Sequence, residues 1–158
     1  MQPALAPALH AMVECGLVFD ALVKPVHLPH ILTLAQRYPD LRMVIDHAAK
    51  PDIAAGEWQP WADDMLRVAG ETQAYCKLSG LMTEAGPKPA AGAVTRWGKR
   101  VLKSFGARRV VWGSDWPVLE LAGSYGQWWR ETQHLLAGLG VQERAAIMGD
   151  NAKRLYRL

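Results

Sequence analysis

Arg109-Val110-Val111-Trp112-Gly113-Ser114-Asp115-Trp116-Pro117 carries an apolar, β-branched run straight into residues that cannot extend it. Val110 to Trp112 has the composition of a short strand buried on both faces, and Gly113, Ser114 and Pro117 break it. Asp115 therefore falls at a strand's C-terminal end. A second run repeats the pattern: Met43-Val44-Ile45-Asp46-His47 passes into Ala48-Ala49-Lys50-Pro51 and leaves an imidazole at the strand exit. Two strand-end groups with titratable side chains are expected to share one pocket.

Outward from these runs, apolar strands alternate with amphipathic helices in four units, and each parallel return needs a crossover helix. A helix over 4–14 ends near Gly16, a suitable C-cap, and a strand over 17–23 follows. Leu28, Ile31, Leu32 and Ala35 recur at helical spacing until Pro39, ahead of a strand over 42–46. Trp58, Trp61, Met65 and Val68 mark one face of the next helix, and their stripe fits core packing better than a ligand box. Tyr75 to Leu78 makes a third strand with Ser79-Gly80 at its exit, and a helix over 91–104 stops at Phe105-Gly106. After the fourth strand come a helix over 127–136 and a last helix, N-capped at Asp150 or Asn151, that presents Leu155 and Tyr156. The expected architecture is one α/β domain over 1–158, with no linker and no repeat beyond the β/α rhythm.

Half of the 158 residues are hydrophobic and 21% are charged, enough for a sizeable core. The formal charge of +3 is spread along the chain. Its two concentrations, Lys99, Arg100, Lys103, Arg108 and Arg109, then Lys153, Arg154 and Arg157, read as solvated helix faces. No aromatic-interleaved basic stripe accompanies them, so nucleic acid is not an expected partner. Cys15 and Cys76 make neither a metal spacing nor a disulfide framework, which fits a reducing compartment. Residues 1–13 are apolar but lack a basic n-region and a cleavage site, and no run approaches ~20 apolar residues. A cytoplasmic protein without a membrane partner is expected.

The motifs resemble those of the lactonase-like branch of the amidohydrolase superfamily. The resemblance rests on Val44-Ile45-Asp46-His47 with Lys50-Pro51, on Cys76-Lys77-Leu78-Ser79-Gly80-Leu81 with Thr83-Glu84-Ala85, on Trp112-Gly113-Ser114-Asp115-Trp116-Pro117, and on Asn151-Ala152-Lys153-Arg154-Leu155-Tyr156. These occur in family order and cover nearly the whole chain from Gly16 onward. The resemblance implies a TIM-type (β/α)8 barrel, of which this chain holds the C-terminal half. Such barrels take about 250 residues. It also implies a His-x-His pair on the first barrel strand that serves a metal or substrate site. No His-x-His occurs among His10, His27, His30, His47 and His134.

In a parallel barrel the groups past the strand C-termini converge on one face, here Lys24, His47, Ser79 and Asp115. Asp115 can serve as general base on a water, or bind a divalent metal, zinc among the candidates, that acidifies that water. His47 can polarise an ester carbonyl, donate to an oxyanion or ligate the metal. On spacing alone Asp115 reads as a loop cap and His47 as a core histidine; the resemblance implies the functional roles. Lys77, inside an apolar strand, either faces the pocket or pairs internally, for instance with Asp20. Glu84 and Trp116 can bond sugar hydroxyls and stack on a sugar face, and Lys24 and Lys50, each followed by proline, can hold an acidic substrate.

The implied reaction is hydrolysis of a sugar-acid 1,4-lactone in carbohydrate metabolism. The alternatives are a metal-using decarboxylase of the same superfamily and a truncated, non-catalytic half-barrel. No Gly-x-Ser-x-Gly elbow or Ser/His/Asp order points to a serine hydrolase. Four parallel strands leave two open edges, so self-association or pairing with a second polypeptide that supplies the missing strands is expected.

Overall fold

The computed structural model describes residues 3–158. Four strands, β1 (Val18–Ala21), β2 (Arg42–Ile45), β3 (Tyr75–Leu78) and β4 (Val110–Trp112), form a sheet in sequence order. All three pairings are parallel, with Val18 opposite Arg42, Val44 opposite Tyr75 and Cys76 opposite Val110. The helices are α1 (Ala6–Glu14), α2 (Leu28–Arg37), α3 (Trp61–Glu71), α4 (Leu81–Glu84), α5 (Thr95–Phe105), α6 (Tyr125–Leu136), α7 (Val141–Ala145) and α8 (Asn151–Tyr156).

Alternation along the strands divides two cores. Phe19, Ala21, Met43, Ile45, Cys76, Leu78 and Val110 face the layer built by α2, α3 and α5. On the other face Val18, Val44, Tyr75 and Val111 pack under Ala152, Leu155 and Tyr156 of α8. The last helix thus covers the face that a closed barrel turns inward. Asn151, wholly buried, anchors it by donating from Nδ2 to the carbonyls of Ala107 and Val110, each at 2.7 Å.

The expected order of elements stands, with local corrections. α8 has no capping bond at Asp150; the chain from Val141 runs through a π turn over Ala146–Asp150 into it, and Asn151 ties helix to strand instead. β1 pairs only over four residues because Leu22 N–H turns back to Asp20 O at 3.2 Å. α5 starts at Thr95, since Gly92 adopts φ +79° and its N–H is held by Glu131 Oε1 at 3.0 Å. Trp58 precedes α3, yet its ring lies 5.4 Å from Trp61 and 4.9 Å from Trp97 in one aromatic cluster. α1 closes as expected: Gly16 at φ +63° and Leu17 return their N–H groups to Val13 and Met12.

Two of the basic residues read as solvated do structural work. Arg109 donates to the carbonyls of Ala69, Thr72 and Ala74, and Arg100 to that of Ala62, so both guanidiniums tie α3 to its neighbours. Among the described residues no helix is long and apolar enough to cross a membrane.

Candidate active site

The exit of β2 is a left-handed turn. His47, Ala48, Ala49 and Lys50 have φ of 50°, 49°, 60° and 50°, closed by Lys50 N–H to His47 O at 2.8 Å. Each L-residue in that region costs roughly 1–2 kcal/mol, so the surroundings must impose it. Ala48 and Ala49 are fully buried, Trp61 Nε1 donates to Ala48 O at 2.7 Å, and Lys50 is ion-paired with Glu84 on α4. The turn lays the imidazole across Gly80 so closely that a Cβ there would sit 2.7 Å from His47 Cβ and 2.8 Å from Nδ1.

Asp115, also left-handed at φ +62°, brings its carboxylate to the same ring. His47 Nδ1 lies 2.9 Å from Ser79 Oγ and 3.6 Å from Asp115 Oδ1. Thr83 Oγ1 lies 3.3 Å from Asp115 Oδ2 and donates to Gly80 O at 2.7 Å. The Asp115 side chain is 9% exposed and that of His47 25%, so the carboxylate is sheltered while the ring reaches solvent. On the far side of Asp115, Trp128 Nε1 fixes Gly113 O at 2.8 Å.

The remaining candidates are distributed around this cluster. Glu84 and Lys50 satisfy each other at its rim. Lys77 points from β3 to the barrel-side face, paired with Asp20 and, at 2.7 Å, with Asp46. Burial pulls its pKa down, but the bonds to Asp20, Asp46 and Tyr156 outweigh that and hold the ammonium above the ordinary lysine value. Tyr156 OH donates to Asp20 Oδ1 at 2.6 Å; burial and that carboxylate raise its phenol. Trp116 is 66% exposed and its Nε1 donates to Glu120 at 3.1 Å. Lys24 is exposed and shares no hydrogen bond or ion pair with the cluster among the described residues; its N–H donates to His27 Nδ1.

Gly80, Thr83 and Trp61 also shape the site. Gly80 carried a signal, a glycine directly after a strand exit, whereas Trp61 was absorbed into a core stripe and its bond to the Ala48 carbonyl has no sequence signature.

A parallel β/α sheet whose strand ends gather a carboxylate, an imidazole and a hydroxyl has the architecture of part of a (β/α) barrel. The amidohydrolase family profile matches residues 2–158, and the chain belongs to that family. It is 50% identical over 161 residues to an L-fucono-1,5-lactonase of Burkholderia ambifaria, covering 99% of this chain and 55% of the relative. An L-fucono-1,5-lactonase of Burkholderia multivorans is 32% identical over 157 residues, 89% of this chain and 51% of the relative. Among solved structures, a zinc-bound amidohydrolase from Burkholderia multivorans superposes with a TM-score of 0.92 at 30% identity, over 99% of this chain and 58% of that one. The chain thus spans about half the length of the curated relatives it matches, and its sheet corresponds to part of their barrel.

A zinc ion in catalysis takes three protein ligands and keeps one open position. Among the described residues no three His, Cys, Asp or Glu side chains converge on one point. His47 and Asp115 supply two donors, one already hydrogen-bonded to Ser79. Among the described residues, His47 and Asp115 alone fall short of that ligand set.

Proposed function

We propose that this chain carries the base-and-donor half of a lactone-opening site, acting on a sugar-acid lactone. The observation that carries the reading is the sheltered Asp115 carboxylate set 3.6 Å from the His47 imidazole at parallel strand exits, in a chain half identical to a protein named as a lactonase. Asp115 takes a proton from a water as its oxygen adds to the lactone carbonyl. His47 donates to the oxygen that becomes negative in the tetrahedral intermediate. Collapse breaks the ring C–O bond, and the proton on Asp115 passes to the departing alkoxide, giving a hydroxy acid. Lactone hydrolysis requires neither redox change nor an acceptor beyond water.

In this reading Glu84 bonds sugar hydroxyls and its ion-pair partner Lys50 meets the acidic group of the substrate, while Trp116, exposed beside Asp115 in the chain, stacks on a sugar face. Lys77, held between two carboxylates, is the member of the candidate set with the least capacity left for substrate. β1 and β4 are edge strands with parallel pairing on one side only, which favours completion of the barrel by further β/α units over work as an isolated sheet.

The test is a chimera in which this chain replaces the matching 161 residues of the Burkholderia ambifaria lactonase. Acid release is followed in a pH-stat on 1,4- and 1,5-lactones of fuconic and rhamnonic acids. Opening of at least one sugar lactone well above the buffer rate supports the proposal; a folded chimera at the buffer rate on all of them rejects it.

A further inference from the structure

Two side-chain oxygens face one ring nitrogen. His47 Nδ1 has Ser79 Oγ at 2.9 Å and Asp115 Oδ1 at 3.6 Å, and only the first is within hydrogen-bond reach. Ser79 is 1% exposed, and Gly113 closes over it so tightly that a Cβ there would sit 3.3 Å from Ser79 Cβ. Among the described residues the Ser79 hydroxyl has no other partner, so a buried O–H proton has one place to go. If Nδ1 carried the ring proton, the hydroxyl hydrogen would be left unbonded in a dry setting.

We infer that Ser79 is a positioning residue that donates to His47 Nδ1, fixes the neutral ring with its proton on Nε2, and so keeps the imidazole proton off Asp115. The ring's outward edge then presents an N–H to the pocket. That makes His47 a donor toward an oxyanion and leaves the carboxylate as the only base of the pair. Without the hydroxyl, Nδ1 has Asp115 as its nearest acceptor, and the stronger charge-assisted bond would draw the proton to Nδ1. The ring would then turn its proton away from the substrate, and its partner would lose basicity to the new bond. This inference deepens the lactone-opening proposal and rests on it for its meaning, but its evidence is read without substrate.

The experiment is two-dimensional 1H–15N correlation through the imidazole two-bond couplings, on the 158-residue chain with 15N-histidine. It is run at about pH 8.5, above the ordinary histidine pKa of about 6.5. His47 is assigned by loss of its signals in His47→Gln. The expected wild-type pattern is a pyrrole-type Nε2 and a pyridine-type Nδ1. In Ser79→Ala the tautomer ratio should shift at least about tenfold toward Nδ1–H, the weight of one net hydrogen bond. In Asp115→Asn the wild-type pattern should persist, because the serine still donates. A wild-type ring protonated on Nδ1, or a Ser79→Ala ring with the wild-type ratio, overturns the inference. Lactone inactivity of the chimera would reject the functional proposal and leave the tautomer result unchanged.

Discussion

Replacing Gly80 by alanine introduces two penalties that the structure separates. At φ +70° an alanine pays the left-handed cost of roughly 1–2 kcal/mol. Its Cβ would also lie 2.7 Å from His47 Cβ and 2.8 Å from Cγ and Nδ1, against an ordinary contact of about 3.5 Å. The ring must therefore move by about 0.7 Å or more, and overpacking of this kind adds roughly 1–3 kcal/mol. Gly56 supplies the control, since it has φ +71° and nothing within 4 Å of its would-be Cβ. Loss of chain entropy in the unfolded state offsets both variants by a similar ~0.4–1 kcal/mol, so the comparison cancels it. Urea unfolding of wild type, Gly56→Ala and Gly80→Ala should show the second variant more destabilised than the first by about 1–3 kcal/mol. In the chimera, Gly80→Ala should lower kcat by about 10²-fold, the usual cost of a group misplaced by ~1 Å, while Gly56→Ala leaves it within a factor of a few. Equal destabilisation of the two variants would refute the claim that the imidazole is seated on Gly80.

Three further outcomes follow from the same geometry. Asn151→Ala removes two 2.7 Å bonds, one buried and one partly so, that tie α8 to β4 and the loop before it, and should cost about 2–4 kcal/mol in urea unfolding. Lys77 and Tyr156 both titrate above their ordinary values of about 10 in the folded chain, so their contribution is complete below about pH 10 and is lost as pH rises through the raised folded values. The urea midpoint should therefore fall in alkali, less steeply in Lys77→Met. Burial pushes the Cys76 thiol up and Cys15 is exposed, so a thiol reagent should label Cys15 promptly in the native chain and Cys76 only on unfolding.

The four strands were readable because each is a short, mostly apolar run flanked by residues that break it within a few positions, and three of them carry titratable groups at or beside the exit. What could not be read is equally specific. The left-handed turn at His47 contains no glycine, so nothing local announces four positive φ values; Trp61, distant in sequence, imposes them through Ala48 O. Asn151 looks like an N-cap by residue type, and becomes an anchor only because the preceding π turn keeps the helix continuous and buries its amide against β4. Glu84 and Lys50 were each read toward substrate, and their mutual pairing depends on α4, a single helical turn below the length at which periodicity speaks.

The most direct test of the account is the rate of L-fucono-1,5-lactone opening by the chimera carrying Asp115→Asn, with folding checked by urea unfolding. An amide cannot accept the water's proton, so kcat should fall by at least about 10²–10⁴-fold while the unfolding midpoint stays near that of the parent chimera. Turnover within a factor of two of the parent would contradict the assignment of Asp115 as the base.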